Sequence, residues 1–433
     1  MLNFRVRLAT VVACAAFALA ACGGGGGSSG SANVRLVNAT STHSSLNLLS
    51  NGNTAVSGAA QDTVSNYASV DAGSPTLQVN DATSGSALTT LAPSVNKDGH
   101  YVVIAYESGG TLGTTIIAED TTAPSAGTAS LRLFDAATDA GAVDVYITDP
   151  SASLAGSSPS FSFASSVALQ ASGYLSFAPG TYRIRVTGAG NIGDLRLDVP
   201  SVVLTDQEIA NVLLTPTSGG TLVNGAVLSQ QSTYTAGRNT NARVRLAAAV
   251  SGGATVSASA GAVAIGSNVI SPSVSGYVLV PAGAALNVSV NGNSVGAPAT
   301  AISAGSDSTL LVYGAPAAAT ASLIADDNHL PSGANNLKLR IVNGLTGSNV
   351  PALTLNAAFA VVASNVQPGT ASSYGVVASS TALQIEVFST SNVSPIYPPS
   401  SNTTPLSLPG SAVYTLFMLG DAGAPIGVLR RDR

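Results

Sequence analysis

Charged residues, tryptophan, histidine and cysteine are all scarce in this sequence, and each shortage narrows the range of functions. Aspartate, glutamate, lysine and arginine make up 9% of the 433 residues, against roughly 25% in an average globular protein, and tryptophan is absent. The only histidines are His43, His100 and His329, and four glutamates serve the whole chain, so general acid–base catalysis is poorly supplied. We therefore expect a protein that is not an enzyme, with no catalytic residue and no cofactor to assign.

Basic residues are also few. The 16 lysines and arginines are spread thinly and the net charge is −5, whereas nucleic-acid binding depends on clustered cations that neutralise phosphates. The composition therefore predicts no nucleic-acid partner. Apolar residues, in contrast, make up 45% of the chain, and the 45 glycines and 21 prolines together stay below the roughly 25–30% typical of disordered sequences. The chain has enough apolar residues to form packed cores.

The first 21 residues predict a signal peptide. Arg5 and Arg7 precede an apolar run over residues 8–20, a layout typical of a secretory signal. At thirteen residues the run is too short to cross roughly 30 Å of hydrocarbon as a helix, and no later window holds 18 uninterrupted apolar residues. We expect residues 1–21 to be removed and the mature protein to have no transmembrane helix.

The end of this segment resembles the bacterial lipobox. Leu19, Ala20 and Ala21 stand directly before Cys22, the position that in lipoproteins receives a diacylglycerol and a further acyl chain such as palmitate. Two or more acyl chains anchor a protein stably, so the resemblance implies a membrane partner through Cys22. The alternative is an ordinary cleaved signal beside an unmodified cysteine. Cys14 would leave with the signal, so no intramolecular disulfide is expected.

Residues 22–32 predict a flexible glycine- and serine-rich tether between this anchor and the body of the protein. Gly23 follows Cys22 where an aspartate would imply retention at the inner membrane. The lipoprotein resemblance therefore implies the bacterial outer membrane, and it leaves open whether the protein faces the periplasm or the cell surface.

From residue 33 onward the chain repeats itself four times. In each unit an arginine between apolar residues opens a strand, and a tyrosine 32 to 42 residues later precedes a turn and an alternating strand. The arginines are Arg35, Arg132, Arg245 and Arg340, spaced by 97, 113 and 95 residues, and the tyrosines are Tyr67, Tyr174, Tyr277 and Tyr374. The pattern predicts an all-β protein, a tandem array of immunoglobulin-like β-sandwich domains over residues 33–125, 126–238, 239–330 and 331–433, here called units 1 to 4.

The length of the repeat also predicts how the units are joined. Its period exceeds the 20 to 50 residues of solenoid repeats, so each unit should have its own core, and the units should follow one another like beads on a string. We expect each repeated arginine to lay its stem on a sheet and to pair with an acid at the rim of the sheet. We expect each repeated tyrosine to bury its ring and to bond its hydroxyl to the backbone, as in the tyrosine corner of sandwiches.

The motifs of unit 2 resemble a known family. Arg132, Asp135-Ala136, the segment Val143-Asp144-Val145-Tyr146 and the stretch from Tyr174 to Gly180 are similar to the domain-of-unknown-function family 4397, which occurs in tandem in bacterial surface and lipid-anchored proteins. The other units match more loosely, and together the resemblance covers most of residues 33 to 433. It implies β-sandwiches and a place in the cell envelope, and it carries over no catalytic residue.

Two glycine motifs and two acidic clusters are candidates for chemistry. Residues 188–193 fit G-x-G-x-x-G and residues 292–296 fit G-x-S-x-G, but neither leads into a helix, so both predict hairpin turns. Glu119-Asp120 and Asp326-Asp327-Asn328 could hold calcium at the joints between units, although carboxylates at turns are more often simply solvated. Zinc at His329 lacks further ligands. We predict no metal site and leave calcium at the joints open.

Two functions remain. The first is a non-catalytic, lipid-anchored spacer and interaction module of the cell envelope, adhesion-like, whose loops bind an unknown protein or glycan. The alternative is a lipoprotein that binds a small ligand or a polysaccharide. Sugar sites favour aromatic platforms, and with 12 tyrosines, 9 phenylalanines and no tryptophan the supply is thin, so we expect the first function.

Overall fold

The computed structural model describes residues 30–108, 111–137, 140–163, 170–390, 394–398 and 405–433. The predicted signal peptide and the lipobox residues Leu19, Ala20, Ala21 and Cys22 lie outside the described residues. Within these ranges the chain consists of β-strands and their connections, with no α-helix and with a 3₁₀ turn at Pro316–Ala318. Over the same ranges, no helical segment has the length and hydrophobicity that crossing a bilayer requires.

The strands fall into four successive groups, and the first strand begins at Ser31, so the last two residues of the predicted tether 22–32 belong to unit 1. Unit 1 contains β1 (Ser31–Asn38), β2 (Ser45–Ser50), β3 (Asn53–Ala60), β4 (Thr63–Val64), β5 (Ala68–Asp71), β6 (Leu77–Asp81), β7 (Ala87–Leu91), β8 (His100–Ser108) and β9 (Thr111–Ala118). Unit 2 contains β10 (Ala129–Asp135), β11 (Val143–Thr148), β12 (Phe161–Phe163), β13 (Gln170–Ala171), β14 (Leu175–Phe177), β15 (Gly180–Gly188), β16 (Asn191–Leu204), β17 (Ile209–Pro216), β18 (Val223–Ser229) and β19 (Tyr234–Gly237). Unit 3 contains β20 (Asn241–Val250), β21 (Thr255–Ala260), β22 (Val263–Ile270), β23 (Ser273–Val274), β24 (Val278–Pro281), β25 (Leu286–Val290), β26 (Asn293–Val295), β27 (Asp307–Gly314) and β28 (Thr320–Asp326). Unit 4 contains β29 (Asn336–Thr346), β30 (Leu353–Ala357), β31 (Ala360–Val366), β32 (Thr370–Ala371), β33 (Gly375–Ala378), β34 (Ser380–Leu383), β35 (Ile385–Ser389), β36 (Leu406–Leu408), β37 (Ala412–Asp421) and β38 (Ile426–Arg431).

Each unit folds into two facing sheets on a shared plan, although in unit 4 the second sheet has the order β31-β30-β35 and β34 pairs separately with β36. In unit 1 the first strand, β1, is central: it pairs with β4 and β5 in antiparallel fashion on one side and with β8 in parallel on the other, and β9 follows β8. The second sheet has the order β3-β2-β6-β7. The parallel pair recurs as β10 with β17, β20 with β27, and β29 with β37. The predicted tandem β-sandwich fold is confirmed.

Period-two alternation gives each unit its own core. In unit 3, every second residue of β21 is buried, so that Val256 faces Leu246 and Leu310 of the opposite sheet. A strand can bury one face in this way because successive side chains point to opposite sides of the sheet. Units 1, 2 and 4 have equivalent cores between their two sheets.

Units 1 and 2 are also packed against each other. We call the sheet that contains the first strand of a unit its pairing sheet. Val102 and Ile104, on the outer face of the pairing sheet of unit 1, form one buried cluster with Phe134 and Leu213 of unit 2. The expectation that the units follow one another like beads on a string is therefore wrong. The physical reason is that these sheets are apolar on both faces, and a sheet of this kind must be covered on both sides.

Units 3 and 4 form a second pair of the same kind. Ala249 and Leu311 of unit 3 pack against Val342 and Phe417 of unit 4, and all four side chains are essentially inaccessible.

The two pairs make contact through the loop between β17 and β18. There the amide of Gly219 donates to the carbonyl of Gly305 in unit 3 at 2.9 Å. All four units are thus linked by direct contacts as well as by the chain.

Candidate functional site

The repeated arginine of unit 1 lies in the contact between units 1 and 2. Its Nε donates to Glu119 at 2.7 Å, its Nη2 bonds to the other carboxylate oxygen, and both groups are buried. The same guanidinium donates to the backbone carbonyls of Ser232 at 2.6 Å and Ser229 at 3.1 Å, both in unit 2. Arg35 therefore pairs with an acid as expected. It does so inside an interface rather than at a solvated rim, and it joins the two units.

In units 3 and 4 the arginines and acids exchange partners. Arg245 of unit 3 pairs with Asp432 of unit 4, and Arg340 of unit 4 pairs with Asp326 of unit 3. All four side chains are at most 3% exposed. The exchange is reciprocal, because Arg245 and Arg340 lie at equivalent strand positions of the two units, as do Asp326 and Asp432. Buried ion pairs of this kind are best known for fixing the register of an interface.

Threonines complete this network. Thr309 accepts a hydrogen bond from the Nε of Arg245 at 2.8 Å and donates to Asp326 at 2.7 Å. Thr415 makes the equivalent hydrogen bonds in unit 4. Each buried charge is thus hydrogen-bonded as well as paired, which buried ions require.

The arginine of unit 2 has different partners. The Nε of Arg132 donates to the side-chain oxygen of Asn211 at 2.7 Å, and its guanidinium lies over the rings of Phe134 and Tyr174, each at 4.7 Å. At the end of its pairing sheet unit 2 has Gln230, where units 1, 3 and 4 have an acid, and Gln230 bonds to the backbone of Thr121. Unit 2 therefore has a neutral amide at the position where the other three units have a carboxylate.

The repeated tyrosines differ from the prediction in one respect. The hydroxyl of Tyr67 donates to Glu119 at 2.6 Å and that of Tyr277 donates to Asp326 at 2.6 Å, so in these two units the partner is a carboxylate and not the backbone. The Arg35 guanidinium lies 5.1 Å from the ring of Tyr67. Burial, followed by the hydrogen bond to Glu119, raises the pKa of Tyr67 above its usual value, so the hydroxyl remains a donor. The four tyrosine side chains are half-buried, and each ring lies against the repeated arginine of its own unit.

Asp135 of unit 2 is a buried acid at a position that is asparagine in units 1 and 4. Its Oδ1 accepts from the amide of Ala137, just as Asn38 and Asn343 accept from the amide two residues ahead. The asparagines also donate to two backbone carbonyls, which a carboxylate cannot do. Burial raises the pKa of Asp135 to about 6, against opposing contributions from the Ala137 amide and Arg196.

We predict that Asp135→Asn stabilises the protein at neutral pH. The raised pKa means that the folded state binds the proton more tightly than the unfolded chain does. In the wild type, the stabilisation that comes from this bound proton is complete below about pH 4 and is lost as the pH rises through about 6. The variant should gain about 1–3 kcal/mol at pH 7 and little at pH 4, measured by denaturant unfolding across that range. The reverse exchange in unit 4, Asn343→Asp, should destabilise instead. An equal effect at both pH values would contradict this assignment.

The two glycine motifs are hairpin turns, as predicted. Within residues 188–193, Ala189 and Gly190 form the turn that connects β15 to β16, and Gly190 has φ of 71°. Asn291 and Gly292 connect β25 to β26 with φ of 48° and 79°, which are the values of a tight two-residue hairpin loop. Neither glycine motif leads into a helix that could bind phosphate or carry a nucleophile.

The acidic clusters at the joints are used for ion pairs. Glu119 and Asp326 serve the arginines described above, Asp120 lies 3.0 Å from His100, and Asp327 lies 2.6 Å from the Nζ of Lys338 and 2.7 Å from His329. In the part of the chain that the structure describes, no three side chains of histidine, cysteine, aspartate or glutamate are placed to hold a metal ion together. The third histidine, His43, lies 4.0 Å from Glu107.

Unit 2 contains a cavity of about 610 Å³ that opens at one edge of the sandwich. Its floor is apolar and is formed by side chains of both sheets, among them Ile184, Leu197 and Val212, which are each about 2% exposed. The exposed residues Ser201 and Thr235 lie at its mouth. A volume of this size is within the usual range of small-ligand sites, roughly 300–1,000 Å³.

Two features peculiar to unit 2 produce this cavity. Strand β16 is 14 residues long and bulges at Pro200 and Ser201, because Tyr182 pairs with Val202 whereas Ile184 pairs with Val199. An additional strand, β19, extends the pairing sheet beyond β18. The cavity lies between these two edges. Sequence reasoning missed it, although the 113-residue spacing from Arg132 to Arg245, longer than the other two, was the available signal.

Comparison with known proteins supports the family resemblance. The family profile described as Domain of unknown function (DUF4397) matches residues 32–146, which span unit 1 and the first two strands of unit 2. No curated protein matches the sequence. A crystal structure from Bacteroides uniformis, described as a "putative cell adhesion protein", is similar at 13% identity with a TM-score of 0.22, over 46% of this chain and 98% of that one. Beyond residue 146 the resemblance to the family stays a prediction, both for the stretch from Tyr174 to Gly180 in unit 2 and for units 3 and 4.

Proposed function

We propose that this protein is a non-catalytic, lipid-anchored component of the bacterial outer membrane whose four sandwiches act as a spacer and present loops to a protein or glycan partner. The observation that carries the proposal is the way in which the units are paired. Apolar clusters join unit 1 to unit 2 and unit 3 to unit 4. Buried ion pairs cross the contact between units 3 and 4, and the buried Arg35 of unit 1 donates to backbone carbonyls of unit 2. Such contacts suit a support that holds loops at a distance from a membrane, since binding loops are normally carried on rigid scaffolds.

One loop tip of unit 4 is a candidate contact point. The turn between β30 and β31 consists of Ala358 and Phe359, which have φ of 49° and 63°, and the phenylalanine side chain is 77% exposed. Asparagine and glycine adopt this conformation at the lowest cost, and unit 1 has Asn51 and Gly52 at the equivalent turn. An exposed aromatic residue in an unfavourable conformation supports a binding role, because strain of this kind tends to be retained at functional sites.

The anchor is tested by labelling cells with palmitate in the presence and absence of globomycin, a lipoprotein signal-peptidase inhibitor, together with protease treatment of intact cells. We expect labelled wild-type protein, unprocessed precursor under globomycin, and no labelling of Cys22→Ala. Cleavage from outside would indicate surface display, and protection would indicate a periplasmic orientation. Absence of label from the wild-type protein would refute the lipid anchor.

A further inference from the structure

The lining of the cavity in unit 2 suits the apolar part of a ligand. Val199 and Val227 extend the buried floor formed by Ile184, Leu197 and Val212. Aliphatic surface buried there is removed from water, which favours binding. Among the described residues, the lining contains no phenylalanine or tyrosine on which a sugar ring could stack. The floor therefore favours an aliphatic ligand over a saccharide.

The charged and amide groups at one end of the cavity already have partners. Of the lining residues that the structure describes, Glu208 is the charged one, and it accepts from the amide and hydroxyl of Thr205 at 2.6 and 2.9 Å and from the hydroxyl of Ser229 at 2.5 Å. The amide of Gln207 donates to the carbonyl of Pro124, and that of Gln230 bonds to the joint between units 1 and 2. With its oxygens occupied in this way, Glu208 does not require a cationic ligand, and its negative charge disfavours an anionic one.

The mouth offers hydroxyl groups. Ser201, Thr233 and Thr235 are exposed lining residues on the two facing edges, and Val203, an exposed apolar side chain, lies beside them. Hydroxyl groups can donate to and accept from an uncharged polar head group. The arrangement thus combines an apolar floor with a neutral, hydrogen-bonding mouth.

Unit 1 holds one wall of the cavity in place. The turn from β18 to β19 lines the cavity at Ser229, Gln230 and Ser232, and Arg35 of unit 1 donates to the carbonyls of Ser229 and Ser232. Ala123, in the segment between the two units, lines the same end. The site is therefore shaped by the pair of units and not by unit 2 alone.

We propose that this cavity binds an uncharged amphiphile, with an aliphatic body on the floor and a hydroxyl-bearing head at the mouth. The proposal does not depend on the anchor or on the partner of the loops, so its failure would leave the spacer function standing. A monoacylglycerol is the simplest compound with the required chemistry.

The test is binding of the neutral fluorescent probe N-phenyl-1-naphthylamine to the full-length chain carrying Cys22→Ala, so that no protein-bound acyl chain competes. We expect saturable binding at one site per chain. Val227→Phe, which fills the cavity, should weaken it at least tenfold. Leu429→Phe is the matched control, because Leu429 pairs with Leu416 in unit 4 as Val227 pairs with Val212 in unit 2, and it should leave binding unchanged.

A second variant guards against misfolding. Ser201→Phe places a ring at the exposed mouth, where the fold should tolerate it, and we expect the same loss of probe binding with an unchanged melting temperature. A monoacylglycerol should displace the probe at least ten times more effectively than the fatty acid or alkylammonium of equal chain length, and an oligosaccharide should not displace it. Unchanged binding in both cavity variants, no saturable binding, or the opposite ranking of competitors would overturn the proposal.

Discussion

Replacing Asp326 by asparagine should lower the free energy of unfolding by about 3–5 kcal/mol, the usual cost of breaking a buried ion pair from one side. Asp326 pairs with Arg340 across the interface, lies 3.5 Å from Arg245, and accepts hydrogen bonds from Tyr277 and Thr309. The asparagine keeps the size of the side chain but removes the charge that compensates a buried guanidinium. Denaturant unfolding of the variant and the wild type measures the difference.

The neighbouring acid provides a matched control. Asp327 is 55% exposed and pairs with Lys338 at 2.6 Å, so Asp327→Asn should cost no more than about 1 kcal/mol. The two variants remove the same charge one residue apart, and only the first removes it from a buried site. Equal losses from the two would mean that the Asp326 network contributes no more than a surface ion pair.

Phe417→Ala should have an effect of similar size, about 3–5 kcal/mol, because it empties the centre of the contact between units 3 and 4. Phe417 is fully buried, yet it belongs to the cluster between the units and not to the core of unit 4. Its partners include Leu311 of unit 3, and the guanidinium of Arg245 lies 4.8 Å from its ring. If the units were independent beads, this side chain would be exposed and its removal would matter little.

Phe359→Ala is the control for this prediction. Its side chain is 77% exposed at the turn between β30 and β31, so its loss should change stability by no more than about 0.5 kcal/mol. Thermal and denaturant unfolding of both variants gives the comparison. A loss below about 1 kcal/mol for Phe417→Ala would show that units 3 and 4 separate in solution.

Local features of the fold could be predicted from the sequence because they depend on neighbouring residues. Period-two alternation predicted the strands, and Asn291-Gly292 predicted the turn between β25 and β26. The repeat of arginine and tyrosine predicted four β-sandwiches, which the structure confirms. A further signal, the unbroken apolar run Val102-Val103-Ile104, is typical of a strand buried on both faces, and it could have predicted that the units pair.

The candidate sites could not be predicted in the same way, because they depend on contacts between distant parts of the chain. Arg245 and Asp432 are 187 residues apart, and no spacing rule connects them. The cavity arises where a bulge in β16 meets the additional strand β19, and neither edge defines it without the other. Which of these distant residues and strands meet is decided by the way the sheets pack in the folded chain.

The sequence by itself determined an all-β chain of four similar sandwiches with hairpin turns at its glycine motifs, since side-chain periodicity and turn chemistry act over a few residues. Only the tertiary structure decided that the sandwiches are paired, that Arg35, Arg245 and Arg340 are buried between the units, and that unit 2 contains a cavity. The physical reason is that an apolar outer face or an arginine on a strand has many possible partners, and the packing of whole sheets decides which one it meets.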